Sequence, residues 1–544
     1  MGIEIHAQLQ TKTKLFSGSR AAFEQGMPNS QVSFFDAALP GTLPVLNTMC
    51  VEQAIRSALS LQAQVHERST FERKHYFYAD LPLGYQVTQQ DACIATNGTL
   101  NITVPKTRDN SQRFDVYQRD VRITRLQLEQ DSGKSMHDFD PKHSMIDLNR
   151  AGCALVEIVS EPDIRSSDEA ACYVRKIQRL LRHVGTCDGN MEEGSLRCDV
   201  NISVRRLGGG GSGDSGSGDS GSGDSGSGDS GSGDSGSGDS GSGDSNGDEL
   251  LVPLGPMGER VEIKNLNSIR SVVRAIDYEV ERQIHGEEMD DGPVTRHETR
   301  TFDVSKGVSV RMRSKESAPD YRFLLDPDLP PLVLENGRVE NIAASLPELP
   351  DAIRLRLMKQ YGLSLYDANV IVDIPDAAEY YEDVLRAMSK SGIEVSKQTL
   401  NWVTNELLGR MKTESVEFSD LGSGKYSGLK PADISIMMVS LLAGDISGKI
   451  AKTALDLTFE EKGVSPMEIV EREGWSVVRD VDALMNLCQQ AVENPKNSKQ
   501  VSDVQSGDKP KLLGFFVGQV MKASNGQADP ATVRRLLQEL LGLV

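Results

Sequence analysis

No apolar run in the 544-residue chain approaches the roughly 18–20 residues needed to cross a bilayer, so no membrane-spanning segment is expected. Cys-x-x-Cys pairs are absent too: the seven cysteines are scattered, which argues against a disulfide framework or a thiolate zinc site and for a reducing compartment. Neither a signal peptide nor an Arg-rich amphipathic leader opens the chain. Met1 runs straight into a strand-like stretch, as in a mature or truncated form. Several catalytic signatures are missing as well. The "GKS" at Gly133–Ser135 lacks the glycine that a phosphate loop needs five residues earlier, where Leu128 stands. No zincin helix, dinucleotide-binding glycine fingerprint or kinase motif set occurs. Basic charge is in deficit, and a net charge of −20 argues against nucleic-acid binding driven by overall charge.

What is present is a long chain with several textures. A length of 544 residues calls for two to four domains. Up to about residue 340 it reads as short alternating strands with interspersed helices. Within this region GSGDS repeats seven times from Gly211 to Ser245, with no apolar residue to offset the entropy of ordering, so a disordered loop is expected. The strand-like "CDVNISVRR" (Cys198–Arg206) and "ERVEIKNLN" (Glu259–Asn267) flank it, so the tract elaborates a hairpin connection at little entropic cost. A helix is expected over Asn267–Ile284, capped by Asn267 or Ser268. Beyond the Pro-marked "DYRFLLDPDLPPL" (Asp320–Leu332) the chain turns helical, and its last segment holds two amphipathic helices around a Gly-Asn/Pro turn. Basic clusters at Arg119–Arg125 and Arg175–His183 suit either a solvated face or an RNA-facing one.

The opening "GIEIHAQLQT" alternates, with Ile3, Ile5 and Ala7 on one side and Glu4, His6 and Gln8 on the other, which is the period of a half-buried strand. Other acids lie on strand-like stretches: Glu129 in "LQLEQDSGK", Asp147 in "IDLNRAG", Glu157 in "ALVEIVS" and Asp199 in "SLRCDVNIS". Glu157 interrupts an apolar run, where an unpaired carboxylate is costly and needs a cation or donors. Carboxylates with one imidazole suit Mg²⁺ or Mn²⁺; pairing with Arg125, Arg150 or Arg197 is the structural alternative. Three stretches dense in Lys, Arg, Tyr and Asn (Arg73–Gln89, Gly194–Asn201 and Glu262–Ser271) suit phosphate oxygens and a nucleotide or RNA end.

These stretches, with "EIHAQLQTKTKLF", "DLNRAGCALVEIVSEPDIRS", "MEEGSLRCDVNISVR", "RSKESAPDYRFLLDPDLPPL" and "VGQVMKASNGQADP", make the chain resemble the B subunits of the glutamyl-tRNA(Gln), or aspartyl/glutamyl-tRNA, amidotransferases over nearly its whole length. The resemblance implies an α+β fold. A glutamine-synthetase-like cradle domain on an antiparallel sheet (1–338, with 208–250 as the disordered insert) precedes an all-α helical domain (339–470) and a small helical tail domain that engages tRNA (471–544). It implies an ATP-dependent carbon–nitrogen ligase. ATP phosphorylates the γ-carboxylate of glutamate esterified to tRNA(Gln), and ammonia from a partner amidase displaces the phosphate. By matching motif, Glu4, His6, Glu129, Glu157 and Asp199 become the ligands of Mg²⁺ (or Mn²⁺), with Glu129 and Glu157 catalytic. Lys74, Tyr78, Arg197, Lys264 and Asn265 become contacts to ATP or the aminoacyl end. The implied partners are Glu-tRNA(Gln), the amidase (A-type) component of the complex, and a small C-type or fungal-specific third component. The alternative is a non-catalytic tRNA-binding scaffold within the same complex.

Two departures from the family pattern stand out. Where many bacterial relatives carry four zinc-binding cysteines, this chain has Ser17, Ser19, Ser33 and Asp36, so no zinc is expected. The usual glutamate pair becomes Glu129 and Gln130, which removes one potential ligand charge. With the GSGDS tract, the missing cysteines point to a fungal organellar version, in the mitochondrial matrix, whose transit peptide is not visible.

Overall fold

A computed structural model describes residues 1–21, 27–106, 116–140, 142–207, 254–285, 297–314, 321–388, 392–475, 481–505, 512–524 and 527–543. The expected disordered insert, 208–250, lies outside the described residues. The chain divides into two compact units, Met1–Ser345 and Leu346–Val544.

The first unit is built on strand β1 (Gly2–Gln8), whose alternation is realised in three dimensions: Ile3, Ile5 and Ala7 are fully buried while Glu4, His6 and Gln8 are half-buried. Helix α1 (Thr48–Ser60), capped by the Asn47 side chain, precedes β2 (Gln64–Val65), β3 (Arg68–Ser69), β4 (Glu72–His75) and β5 (Tyr85–Thr88). Two long strands follow, β6 (Ala95–Pro105) and β7 (Val116–Gln130), then β8 (Lys134–Asp140), β9 (His143–Asp147) and β10 (Ala154–Ser160). Helix α2 (Ser167–His183) starts at Ser166, whose hydroxyl accepts from the Glu169 N–H. Strands β11 (Leu196–Ile202), β12 (Arg205–Leu207), β13 (Leu254–Met257) and β14 (Val261–Leu266) lead to helix α3 (Ile269–Ile284), which Ser268 caps. Strands β15 (Glu298–Asp303), β16 (Val308–Ser314), β17 (Leu324–Leu325) and β18 (Leu332–Val333) and helix α4 (Arg338–Ala344) complete the unit.

Nine of these strands form one sheet in the order β16-β15-β14-β11-β1-β10-β7-β6-β2. Neighbours are antiparallel except β14 and β15. Pairing of β11 with β14 and of β12 with β13 is the hairpin expected across the Gly/Ser/Asp tract. One face is apolar: Ile5 pairs with Ile158 and Cys198, and Ile158 with Leu126, all fully buried. Helices α2 and α3 supply the buried side chains Tyr173, Val174, Ile177, Val272 and Ile276, so water is excluded from that side. A smaller sheet, β17-β4-β5, stands beside the end of β7.

The second unit is helical. Pro350–Tyr361, Leu365–Val372, Ala377–Ala387, Ile393–Asn401, Pro431–Ala443 and Gly448–Glu461 bury one core that includes Tyr381, Leu429, Met438 and Leu455. A separate cluster of Leu484, Cys488, Phe516, Val520, Val533 and Leu537 is buried by Val481–Glu493, Leu513–Ala523 and Pro530–Leu541. The expected fold class, α+β with a largely antiparallel sheet followed by helices, is what the chain adopts. The Gly-Asn part of the turn expected in the last segment falls on residues 525–526, outside the described ones.

Candidate active site

The second face of the nine-stranded sheet is polar, and strand register arranges it in rows. Arg197, His6, Glu157 and Gln127 are successive partners across β11, β1, β10 and β7. Asp199, Glu4, Val159 and Arg125 make the row on one side; Gln8, Leu155 and Glu129 make the row on the other. Residues far apart in sequence meet because antiparallel strands present every second side chain to the same face.

His6, Glu129 and Glu157 converge, each offering a ligand atom within 4.8 Å of the others'. His6 Nε2 lies 3.7 Å from Glu129 Oε2 and 3.8 Å from Glu157 Oε1. Gln127 clamps the two carboxylates, its Nε2 donating to Glu129 Oε1 at 3.0 Å and to Glu157 Oε2 at 2.5 Å. From β5, Thr88 donates to Glu129 Oε1 at 2.5 Å and Gln86 to Oε2 at 3.4 Å. The two acids are held in opposite protonation tendencies. Burial resists the ionisation of Glu129, but the charges of Lys74 and His6 and the Thr88 and Gln127 hydrogen bonds outweigh it and lower its pKa. Burial, then the charges of Glu129 and Glu4, push Glu157 well above the ordinary carboxylate range.

Glu4, Asp199 and Glu262 form a second group with the same spread. Asn201 Nδ2 donates to Glu4 Oε1 (2.9 Å), and Lys264 Nζ bridges Asp199 Oδ2 (3.1 Å) and Glu262 Oε1 (2.6 Å). Asn265, at a left-handed φ of 60°, aims its backbone N–H at Asp199 Oδ1 (2.8 Å). Burial opposes the Asp199 charge, but Lys264, His6 and the Asn265 bond outweigh it and lower its pKa; Asp199 and Glu262 in turn raise that of Lys264 despite burial.

The five residues expected as metal ligands thus share one face but fall into two groups, three in the first and Glu4 with Asp199 in the second. Lys74 acts electrostatically on both buried glutamates, and its Nζ lies 5.1 Å from the ring centroid of Tyr321. Tyr78 is exposed, its ring edge-on to Tyr76 with centroids 5.6 Å apart; Tyr76 reaches Tyr321 at 6.2 Å. Arg197 is engaged with Asp131 (2.8 Å), which also faces Arg150 (3.4 Å). Gln130 accepts from the Val87 N–H at 3.3 Å, on the opposite side of β7 from Glu129 by alternation, so its missing charge does not come out of the His6 group. Of the four positions marked for zinc cysteines, three are tied together: Asp36 Oδ2 accepts from Ser17 Oγ, the Ser33 N–H and Lys14 Nζ at 3.0, 3.0 and 3.2 Å.

Gln127 and Glu262 belong to these two groups but were not among the expected site residues. Both were open to the alternation test, standing two residues from Glu129 and Lys264 on strands already recognised. Tyr321 carried no local signal, since only the pairing of β17 with β4 brings it beside Lys74.

Residues 1–216 and 253–340 match the family described as GatB/GatE catalytic domain, and residues 380–541 match the GatB domain. The B subunit of a mitochondrial glutamyl-tRNA(Gln) amidotransferase from Phytophthora infestans is 42% identical, covering 99% of this chain and 94% of its own. The B subunits of aspartyl/glutamyl-tRNA(Asn/Gln) amidotransferases from Caulobacter vibrioides (44%; 100% and 96%) and Rickettsia canadensis (43%; 100% and 97%) are similarly close. The chain belongs to the GatB family of tRNA-dependent amidotransferase components.

Proposed function

We infer that this chain is the GatB component of a glutamine-dependent amidotransferase that converts misacylated Glu-tRNA(Gln) to Gln-tRNA(Gln), a carbon–nitrogen ligase acting in translation. The observation that carries its chemistry is the convergence of His6, Glu129 and Glu157 on one sheet face, with the charge of Lys74 acting on both glutamates. Family membership from end to end disfavours the scaffold alternative, and so does a buried acid cluster that a passive RNA holder has no use for.

The proposed reaction begins with ATP phosphorylating the γ-carboxylate of tRNA-bound glutamate, which turns a poor electrophile into an acyl phosphate; ammonia then displaces the phosphate. The donor set fits Mg²⁺ or Mn²⁺: carboxylates, one imidazole, and the Gln127 amide oxygen, which is buried and without a hydrogen-bond partner. When bound, such an ion neutralises charge that builds on the transferred phosphoryl group. The chain's own residues do the rest. Glu129 stays ionised because Lys74, His6, Thr88 and Gln127 favour its anion. Gln127 fixes the spacing of the two glutamates. Lys74, Lys264 and Arg197 place positive charge around the face, where triphosphate and carboxylate substrates must be held against an acidic background.

Ammonia is supplied by a partner amidase of the A type, and a small third component, C-type or fungal-specific, completes the assembly. The second helical cluster, within the proposed tail domain 471–544, engages the tRNA, and 339–470 is the helical domain that precedes it in the chain. The mitochondrial relative and the departures at Ser17, Ser19, Ser33 and Asp36 support a mitochondrial location.

The test is ATP turnover by the assembled enzyme with and without Glu-tRNA(Gln). Stimulation by the charged tRNA, lost in Glu129→Ala, is the expected result; wild-type turnover in that variant would overturn the assignment.

A further inference from the structure

Buried polar atoms without partners gather on the polar face of the main sheet. Among the described residues they include Gln8 Oε1, Gln127 Oε1, Arg125 Nε and Arg197 Nε. Strand alternation and register put all four on the side of His6 and Glu129. Two are acceptors and two are donors. Each unmade bond on a buried group costs about 1–3 kcal/mol, so the face is matched to a ligand that carries both signs. A cation would meet the amide oxygens and an anion the guanidiniums.

The two arginines differ in how committed they are. Arg197 already holds Asp131 at 2.8 Å. Arg125 makes one side-chain hydrogen bond among the described residues, a 3.4 Å contact to the neutral Gln90 Oε1. No described carboxylate oxygen lies within 4.0 Å of its guanidinium. Its row on the sheet runs Arg125, Val159, Glu4, Asp199. Val159, the one half-buried residue of β10, places a short apolar side chain between Arg125 and Glu4 in that row. The β10–β7 register shifts immediately beyond Val159, an irregularity of the kind that re-aims side chains beside functional sites.

We propose that Arg125 binds the oxygens of the phosphoryl group being transferred, on the polar face beside Val159. This rests on the phosphoryl-transfer reading given above. In that step a γ-carboxylate oxygen bonds to the γ-phosphorus of ATP, the bond to the bridging oxygen breaks, and ADP departs with the electron pair. The guanidinium keeps its proton throughout and offsets negative charge on the phosphoryl oxygens.

The test compares Arg125→Ala, Arg125→Lys and Glu129→Gln in the complete complex, reading ATP turnover with Glu-tRNA(Gln), tRNA affinity and the glutaminase rate of the partner. Arg125→Ala is expected to lower kcat/KM for ATP about 100-fold or more while tRNA affinity and glutaminase rate hold. Arg125→Lys is expected to recover only part of the loss, and added guanidinium chloride to restore part of the Arg125→Ala activity. An unchanged kcat/KM for ATP in Arg125→Ala overturns the proposal. So does a loss that guanidinium leaves untouched and that falls equally on tRNA binding, because that marks a structural role. Wild-type turnover in Glu129→Gln would instead overturn the underlying phosphoryl-transfer reading.

Discussion

His6 and Glu157 are register partners across β1 and β10, with His6 Nε2 3.8 Å from Glu157 Oε1. The distance is too long for a hydrogen bond and short enough for both atoms to ligate one ion. Neither side chain has a guanidinium partner among the described residues. The neighbours of Glu157 are instead another carboxylate, an imidazole and an amide, with the Lys74 ammonium acting on it electrostatically, a donor set that suits the divalent ion proposed above.

Glu157→Gln should stabilise the metal-free protein. The folded-state pKa of Glu157 is raised, so its carboxyl costs nothing below the ordinary carboxylate value of about 4.3 and destabilises increasingly as pH rises from there through the raised value. Removing the charge should return about 1–3 kcal/mol at neutral pH and flatten the pH dependence. Thermal melts in EDTA across that range check both, and a variant less stable than the parent at neutral pH would refute the claim.

Gln127→Leu should weaken metal dependence without unfolding the site. The amide bridges Glu129 and Glu157 and contributes an orphan oxygen, so its loss should raise the Mg²⁺ concentration for half-maximal ATP turnover by about 10–100-fold. A Mg²⁺ titration of turnover reads this directly.

Lys264→Met leaves Asp199 and Glu262 facing each other without their shared ammonium. Lys264 is partly exposed, so we expect a loss of about 1–3 kcal/mol rather than the larger cost of a dry ion pair, measured as the shift of the first transition in urea.

At Asn265 the working group is the backbone N–H, held by a left-handed φ of 60°. Asn265→Gly should therefore keep most activity, whereas Asn265→Val should lose about 1–2 kcal/mol of stability and lower turnover. Equal loss in both would return the role to the side chain.

Much of this site could be read from the sequence, because a strand declares its faces locally. "GIEIHAQ" separates Glu4 and His6 from Ile3 and Ile5 with no tertiary information, and "ALVEIVS" isolates Glu157. The hairpin across the Gly/Ser/Asp tract was legible for the same reason. Which acids meet was not legible. The split of the expected ligands between a His6 group and an Asp199 group depends on the order of β11, β1, β10 and β7, a matter of long-range packing. The parallel pairing of β14 with β15 and the approach of Tyr321 to Lys74 are likewise set by where the chain returns after long connections. The six-residue π-helical turn at Trp402–Leu407, inside a stretch that reads as ordinary helix, shows the same limit in the second unit.

Glu129 and Glu157 are proposed to hold one divalent ion together. Mn²⁺ binding, followed by loss of the free-ion electron paramagnetic resonance signal, tests it most directly on the assembled enzyme and on a Glu129→Gln, Glu157→Gln double variant. Binding by the parent that disappears in the double variant is the predicted result. Equal Mn²⁺ affinity in the two proteins would contradict it.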